Sequence, residues 1–197
     1  MLVLASSSPQ RRAILGRLGV RFEVMTPDVE ELEEGDPLEL AAENALRKAM
    51  AVERRLAAGA GVAPEGGEDA AARVVLGVDT VVALDGRVYG KPTDEESART
   101  MLRTLSGRRH TVVGGVAIVS TGAARRLCAQ TEVLFRVLEE PLLDWYLATG
   151  EWRGRAGGYA IQGAGAALVR EVSGDYENVV GLPLAAVLDA FPELLSL

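Results

Sequence analysis

The stretch of sequence that decides the fold is Val74-Val75-Leu76-Gly77-Val78-Asp79-Thr80-Val81-Val82. Its aliphatic and β-branched residues predict a long buried strand over residues 73–84. Asp85-Gly86 then predicts a tight hairpin turn, and Arg87-Val88-Tyr89 predicts the returning strand. A carboxylate in the middle of an apolar strand is costly unless it is paired or binds a metal, so Asp79 is a candidate catalytic residue. A strand-end Asp that is hydrogen-bonded to a neighbouring turn is the alternative.

A candidate phosphate-binding motif lies where a short apolar strand, Leu2 to Ala5, runs into a helix. Ser8 is the predicted N-cap of that helix and Pro9 its first residue. Free backbone N–H groups and the helix dipole at such an N-terminus favour an anion, and Ser6 and Arg11 add directed hydrogen bonds. The alternative is a well-capped helix whose arginines face solvent.

Periodicity along the rest of the chain predicts helices interspersed with hairpins. A long helix starts at Asp36-Pro37, Thr93 caps the next helix, and two strands pair around Thr121-Gly122. A Gly- and Ala-rich segment, 59–72, is predicted to be a mobile surface loop, and residues 157–165 form a glycine-dense loop. Together these elements predict an α/β or α+β protein with a mixed sheet. The apolar stripe of the long helix consists of Leu38, Ala42, Ala45, Ala49, Val52 and Leu56.

Composition and charge exclude several classes of protein. A chain of 197 residues with 48% hydrophobic and 25% charged residues is typical of a globular protein, and no apolar run approaches the roughly 20 residues that span a bilayer. The formal charge of −7 disfavours nucleic-acid polymers and anionic lipid, whereas a nucleotide with a divalent cation suits local basic clusters. The first residues lack the features of a signal peptide, so we expect a cytoplasmic protein.

The chain has one cysteine, Cys128, and one histidine, His110. An intrachain disulfide and a Cys/His zinc cluster are therefore excluded, and any metal must be held by oxygen. We expect Cys128 to be a small buried side chain and His110 to be structural. Without a second partner for either residue, neither a Ser-His-Asp nor a Cys-His mechanism is attractive.

Only two lysines, Lys48 and Lys91, accompany nineteen arginines. An ammonium suits a phosphate oxygen as a point contact, whereas the planar fork of Arg suits bidentate pairing. Lys48 lies just off the apolar stripe of its helix, one turn after Asn44, and the Asp85-Gly86 turn returns Lys91 toward Asp79. A compositional bias that left two lysines by chance is the alternative.

Oxygen ligands and recognition of a base have further candidates. Glu30 and Glu31 can supply metal ligands, although an acidic run is more often a solvated face. Gln162 lies in the glycine-dense loop and offers both a donor and an acceptor to a base edge. A loop amide that is satisfied by the neighbouring backbone is the alternative for Gln162.

Several motifs, taken in order along nearly the whole chain, resemble the Maf family of nucleoside triphosphate pyrophosphatases. The resemblance implies a single α/β domain over residues 1–197, with an elongated mixed β-sheet flanked by helices and a cleft between two lobes. This two-lobed fold is the Maf/ITPase-like fold, and the resemblance also implies a homodimer. The motifs are Leu4-Ala5-Ser6-Ser7-Ser8-Pro9 with Arg11-Arg12, Lys48-Ala49, Leu76-Gly77-Val78-Asp79-Thr80-Val81, Gly90-Lys91-Pro92, Leu105-Ser106-Gly107, Ala156-Gly157-Gly158-Tyr159-Ala160-Ile161-Gln162-Gly163 and Asn178-Val179-Val180-Gly181-Leu182-Pro183-Leu184.

The resemblance implies hydrolysis of a nucleoside triphosphate between its α- and β-phosphates, with Mg²⁺ or Mn²⁺ as the cation. Asp79 matches the proposed proton acceptor of the family, and Glu31 and Asp79 match positions of the metal site. The positions that match the family's substrate-binding residues are Ser6, Ser8, Arg11, Lys48 and Lys91.

Three positions distinguish branches of the family that act on different bases. Thr80 and Gln162 match the branch acting on dTTP and UTP, which carries Arg where this chain has Gln10. The branch acting on 7-methyl-GTP carries Trp, Gln and Glu at the positions of Gln10, Thr80 and Gln162, respectively. We therefore predict a dTTP/UTP pyrophosphatase that clears non-canonical or excess nucleotides. The alternatives are a pyrophosphatase for 7-methyl-GTP or another modified nucleotide, and a regulatory nucleotide-binding protein of cell division.

Overall fold

A computed structural model describes residues 1–59, 73–120 and 122–196, and the seven strands in these ranges form one mixed sheet. The strands are β1 (Leu2–Ala5), β2 (Phe22–Val24), β3 (Val74–Leu84), β4 (Arg87–Tyr89), β5 (Arg109–Ser120), β6 (Ala123–Phe135) and β7 (Val169–Ser173). The order across the sheet is β2-β1-β3-β5-β6-β7, and β4 also pairs with β3. β1 is parallel to β2 and β3, whereas the other pairs are antiparallel.

Helices cover both faces of this sheet. They are α1 (Pro9–Arg17), α2 (Pro37–Gly59), α3 (Glu95–Leu105), α4 (Glu140–Thr149), α5 (Tyr176–Val180) and α6 (Leu184–Ala190), with 3₁₀ turns at Ala156–Gly158, Ala164–Leu168 and Pro192–Ser196. The predicted α/β fold with a mixed sheet is confirmed. Within the described ranges, no helix combines the length and the apolar character that a membrane crossing requires.

The central strand β3 changes partners along one of its edges. Its first residues, Val74 to Gly77, pair with β1, whereas Val82 to Leu84 pair with β4. Along the opposite edge β5 pairs continuously from Val74 to Ala83. Residues 78–81 therefore have no strand beside them on the first edge in the described part of the chain, and the predicted strand residue Asp79 lies in that gap.

Alternation along the strands separates two apolar layers near the N-terminal end of the sheet. Leu4, Leu76 and Val78 belong to a cluster with α1 and α6, on one face. Val3 and Val75 belong to a cluster with α2, on the other face. Because successive side chains of a strand point to opposite faces, Asp79 faces α2 and the next residue, Thr80, faces α1.

A third apolar cluster builds the second lobe. It joins the far end of β3, through Val82 and Leu84, to α3 and α4. Tyr159 and Ile161 of the glycine-dense loop belong to the same cluster. The sheet thus carries one lobe at each end, as predicted, and the partner change of β3 lies between them.

The structure corrects the predicted cap of α3 and the buried stripe of α2. Asp94, not Thr93, caps α3, because its Oδ1 accepts the backbone N–H of Ser97 at 2.7 Å and Ser97 Oγ accepts the N–H of Asp94. Leu38 is 37% exposed, so the buried face of α2 begins later in the helix. The long helix and the β3–β4 hairpin are otherwise confirmed.

Further expectations fail or lie outside the described residues. Cys128 was expected to be buried but is exposed, because α2 packs over β3 and β5 and covers much less of β6. Its Sγ donates to Leu38 O at 3.4 Å. The short helix α5 was not predicted, and the glycine-dense loop contains 3₁₀ turns. Most of the predicted mobile segment, residues 60–72, lies outside the described residues, as does Thr121.

Two glycines let α2 lie directly on the sheet. A Cβ at Gly77 of β3 would overlap the carbonyl of Ala45, and one at Gly115 of β5 would overlap that of Ala41. Gly115 lies opposite Asp79 in the β3–β5 register. The absence of side chains at both positions therefore brings the α2 backbone within reach of Asp79.

We predict that Gly77→Ala lowers the free energy of unfolding by about 1–3 kcal/mol or more, because the new methyl group must push α2 away from β3. Urea denaturation followed by far-UV circular dichroism measures this change. Gly16→Ala is the matched control, since Gly16 lies in α1 with nothing within 4 Å of an added Cβ. The control is expected to stabilise the protein by about 0.5–1 kcal/mol. A tolerated Gly77→Ala would contradict the close packing.

Candidate active site

Asp79 is held by two side chains of α2. Its Oδ1 accepts a hydrogen bond from Lys48 Nζ at 2.6 Å, and its Oδ2 accepts one from Asn44 Nδ2 at 3.2 Å. Asp79 is only 6% exposed and Lys48 only 5% exposed. Each carboxylate oxygen thus has a partner, which fixes the plane of the group and compensates its burial. The alternative of a strand-end Asp bonded to a turn is wrong.

Glu31 connects the two lysines of the chain. Its Oε1 lies 2.8 Å from Lys48 Nζ, and its Oε2 lies 3.2 Å from Lys91 Nζ. Partial burial opposes ionisation of Glu31, but the hydrogen bonds and charges of Lys48 and Lys91 outweigh it and lower the pKa to about 2. The predicted return of Lys91 toward the region of Asp79 is therefore present, and Glu31 lies between Lys91 and the Lys48–Asp79 pair.

Arg11 lies on the opposite face of the sheet and holds three segments together. Its Nη1 donates to Ser6 Oγ at 3.0 Å, its Nη2 to Thr80 Oγ1 at 3.1 Å and its Nε to Gly181 O at 2.9 Å. Burial lowers the pKa of Arg11, while the charges of Asp79 and Glu31 oppose that shift. The acceptors are all neutral, so the guanidinium charge is not cancelled by direct pairing with a carboxylate.

The serine loop before α1 has a defined hydrogen-bond pattern. Ser6 Oγ accepts the backbone N–H of Ser8 at 3.1 Å, and Ser8 Oγ accepts that of Arg11 at 3.5 Å, which confirms Ser8 as the N-cap. Ser8 Oγ also lies 3.1 Å from Gln10 Oε1, to which it donates. The loop therefore presents hydroxyl groups and a helix N-terminus to the cleft.

Gln162 lies on a loop that is held in place by hydrogen bonds of two buried tyrosines. Tyr159 OH lies 3.0 Å from His110 Nε2, and Tyr146 OH accepts the N–H of Ala160 at 3.1 Å. Burial lowers the pKa of His110 to about 4 and raises the pKa of Tyr159, so both are neutral supports, as expected for a structural His110. The exposed amide of Gln162 has no hydrogen-bond partner among the described residues, which disfavours the alternative of a locally satisfied loop amide.

The predicted catalytic and binding residues among these groups line one cleft of about 310 Å³ between the lobes. Glu30, the other candidate oxygen ligand, is exposed and does not line it. Sequence reasoning missed Asn44 as a partner of Asp79, although its position one turn before Lys48 on α2 was a usable signal. It also missed Arg155 and the carbonyl of Gly181. The predicted residues that line the cleft are Ser6, Ser8, Gln10, Arg11, Glu31, Lys48, Asp79, Thr80, Lys91 and Gln162.

Glu31 and Asp79 fit a divalent cation such as Mg²⁺ or Mn²⁺. Glu31 Oε1 lies 2.8 Å from Lys48 Nζ, and Asp79 Oδ1 lies 2.6 Å from the same atom, so the two carboxylates lie close to each other. No group of three or more His, Cys, Asp or Glu side chains suited to a metal occurs in the described ranges. Mg²⁺ commonly uses one or two carboxylates and completes its shell with water and substrate phosphates, which matches this donor set.

Comparison with known proteins agrees with this arrangement. The family model described as Maf-like protein matches residues 1–194. The chain belongs to the Maf family. The Maf resemblance inferred from the ordered motifs is therefore confirmed, and the cleft that gathers those motifs is the candidate active site of a Maf protein.

Several curated Maf relatives are similar over most of their length. One from Pelotomaculum thermopropionicum is 46% identical over 192 residues, which covers 95% of this chain and 93% of the relative. Relatives from Dictyoglomus thermophilum and Deinococcus radiodurans are 41% and 43% identical over 188 residues, covering 93% and 95% of this chain and 90% and 89% of the relatives. Each of the three is named dTTP/UTP pyrophosphatase.

We predict that Lys48→Arg reduces kcat/KM by about 10- to 100-fold, because a planar guanidinium cannot replace one ammonium between two carboxylates without displacing them. Lys91→Arg is the matched comparison and should cost less, since the Lys91 side chain is 57% exposed and can be rearranged. Steady-state kinetics and a melting curve for each variant measure the effects. Near-wild-type kinetics for Lys48→Arg would show that any cation serves at this position.

Proposed function

We propose that this chain hydrolyses dTTP and UTP to the nucleoside monophosphate and diphosphate. The observation that carries the proposal is the convergence of Lys48, Lys91, Glu31 and Asp79 at the partner change of β3. Two cations beside two carboxylates suit a phosphate chain that binds together with a divalent cation. The relatives named dTTP/UTP pyrophosphatase support the choice of substrate.

In the proposed complex the phosphate chain lies along the cleft, where cations reach it from both faces of the sheet. Lys48 and Lys91 approach from the α2 side, and Arg11 lies on the α1 side beside the hydroxyls of Ser6 and Ser8. Their charges offset the negative charge that the triphosphate brings, and fixed donors need little reorganisation as the transition state forms.

Asp79 is the proposed general base. It would take a proton from the water that attacks the α-phosphorus, the bond between that phosphorus and the α–β bridging oxygen would break, and diphosphate would leave. Lys48 and Asn44 each hold one oxygen of the carboxylate and so orient it. A cation held by Glu31 and Asp79 would supply further neutralisation of the phosphate oxygens.

Base choice is assigned to the Gln162 loop. The neutral amide of Gln162 can both donate to and accept from the edge of thymine or uracil. Thr80 does not contact the base in this proposal. Its hydroxyl accepts a hydrogen bond from Arg11, so its part in specificity is to position the guanidinium of Arg11. Gln10, which replaces an expected Arg, accepts from Ser8 and leaves the serine loop without a second cation there.

A nucleotide panel tests the proposal. With Mg²⁺ present, we expect diphosphate release from dTTP and UTP with a higher kcat/KM than from 7-methyl-GTP, because a neutral Gln162 does not favour a cationic base. Malachite-green detection after inorganic pyrophosphatase measures the release. A preference for 7-methyl-GTP would support the modified-nucleotide alternative, and nucleotide binding without diphosphate release would support the regulatory alternative.

We predict that Asp79→Asn lowers kcat by about 10²- to 10⁴-fold while it leaves the Kd of a non-hydrolysable dTTP analogue, measured without a divalent cation, little changed, because the amide keeps the shape but cannot take the proton. Single-turnover kinetics and calorimetry separate the two quantities. Asp85→Asn is the matched control, since Asp85 lies in the exposed β3–β4 turn and pairs only with Arg108 at 2.5 Å among the described residues. Retained turnover in Asp79→Asn would rule out its role as base.

Other features stay predictions from the sequence. They are the dependence on Mg²⁺ or Mn²⁺, a homodimer, a cytoplasmic location, and the clearance of non-canonical or excess nucleotides as the role of the reaction.

A further inference from the structure

Arg155 lies in the wall of the cleft, and its guanidinium has no hydrogen-bond acceptor among the described residues. Its side chain is half-buried, and its Nε is shielded from solvent without any hydrogen-bond partner. It forms no ion pair with a carboxylate in the described part of the chain. Since the guanidinium has no acceptor among the described residues, an acceptor supplied by a ligand would satisfy donors that folding leaves unused.

The other cations of the cleft differ from Arg155 in this respect. Lys48 and Lys91 are paired with carboxylates, and Arg11 has an oxygen acceptor for each of its nitrogen positions. Arg155 therefore has guanidinium donors that are still free to bind. Because guanidinium groups only donate and carry a fixed charge, the matching acceptor is an anionic oxygen.

The backbone around Arg155 is rigid and connected to the Lys91 segment. Arg155 O accepts the N–H of Gly158 at 3.0 Å, and the N–H of Gly157 donates to Gly90 O at 3.1 Å, next to Lys91. Gly157 has φ +69° and leaves no room for a Cβ against Val82. The segment that carries Arg155 is thus fixed beside the loop that carries Lys91, and both side chains line the same cleft.

We propose that Arg155 binds the phosphate chain of the nucleotide, on the wall of the cleft formed by the second lobe. This assignment rests on the proposed function and names a further substrate-binding residue for it. The phosphate oxygens are the anionic acceptors of a nucleoside triphosphate, whereas the base can be read by the neutral Gln162 on the same loop. Arg155 and Gln162 would then hold the two ends of one substrate from a single rigid segment.

Tripolyphosphate is the probe that tests this proposal, because it carries the phosphate chain without a base. We expect Arg155→Ala to raise the Kd of tripolyphosphate about tenfold or more, the scale of a lost charge-assisted hydrogen bond. Thymidine, which has no phosphate, should have the same inhibition constant for dTTP hydrolysis in both proteins. Arg153→Ala is the matched control, since Arg153 is two residues away, exposed and stacked on Trp152 at 4.4 Å, and its tripolyphosphate affinity should equal that of the wild type.

Calorimetric titration of wild type and variants measures these affinities, with melting curves as a check on folding. Equal tripolyphosphate affinity in wild type and Arg155→Ala overturns the proposal, as does a wild type that binds no tripolyphosphate. If Arg155→Ala does not fold, Arg155→Gln, which keeps a donor but no charge, gives the same comparison. Tripolyphosphate binding that depends on Arg155 in a protein without dTTP hydrolysis would overturn the proposed function and support this assignment.

Discussion

The buried pair between Lys48 of α2 and Asp79 of β3 is the interaction on which the rest of the site depends. Two charges at 6% exposure or less are stable together only when each compensates the other, and the pair therefore requires α2 and β3 to be in close contact. Gly77 and Gly115 allow that contact by presenting no side chain to the helix. Core packing and active-site geometry are consequently a single constraint in this protein.

The second constraint is the edge of β3 between its two partners. β1 ends opposite Gly77, and the antiparallel β4 ends opposite Val82, so β3 has an uncovered section in the middle of an otherwise continuous sheet. Within that section Asp79 faces α2 and Thr80 faces α1. The dipeptide Asp79-Thr80 thereby connects the Lys48 and Glu31 network on one face to the Arg11 network on the other. Side chains from both faces of the sheet can therefore line the same narrow cleft.

The overall charge of the protein and the local charge of the cleft have opposite consequences. A net charge of −7 does not attract a nucleotide, so binding must come from cations placed at short range. Lys48, Lys91, Arg11 and Arg155 are distributed around the cleft, whereas Glu31 and Asp79 prevent it from being simply basic. This mixture suits a substrate that arrives with its own divalent cation.

Much of this arrangement was determined by local sequence. The apolar run around Asp79 determined a buried strand, Asp85-Gly86 its turn, and Ser8-Pro9 the start of α1, because strand burial, tight turns and helix caps depend on neighbouring residues. The order of the motifs was sufficient to indicate the Maf family and all ten of the predicted residues that line the cleft. Local rules failed for Cys128, because its exposure depends on how little of β6 the helix α2 covers. The cap of α3 was assigned to the wrong neighbour, since Asp94 and Ser97, three residues apart, form a capping box that is itself a local signal.

Only the tertiary structure decided which of these residues touch one another. Spacing could bring Lys91 back toward Asp79, but not show that Glu31 lies between the two lysines or that Asn44 holds the second oxygen of Asp79. It also could not show that Thr80 serves Arg11, or that Arg155 lines the cleft without a partner among the described residues. These contacts join segments far apart in the chain, and they follow from how closely helix and sheet pack, which no local sequence pattern encodes.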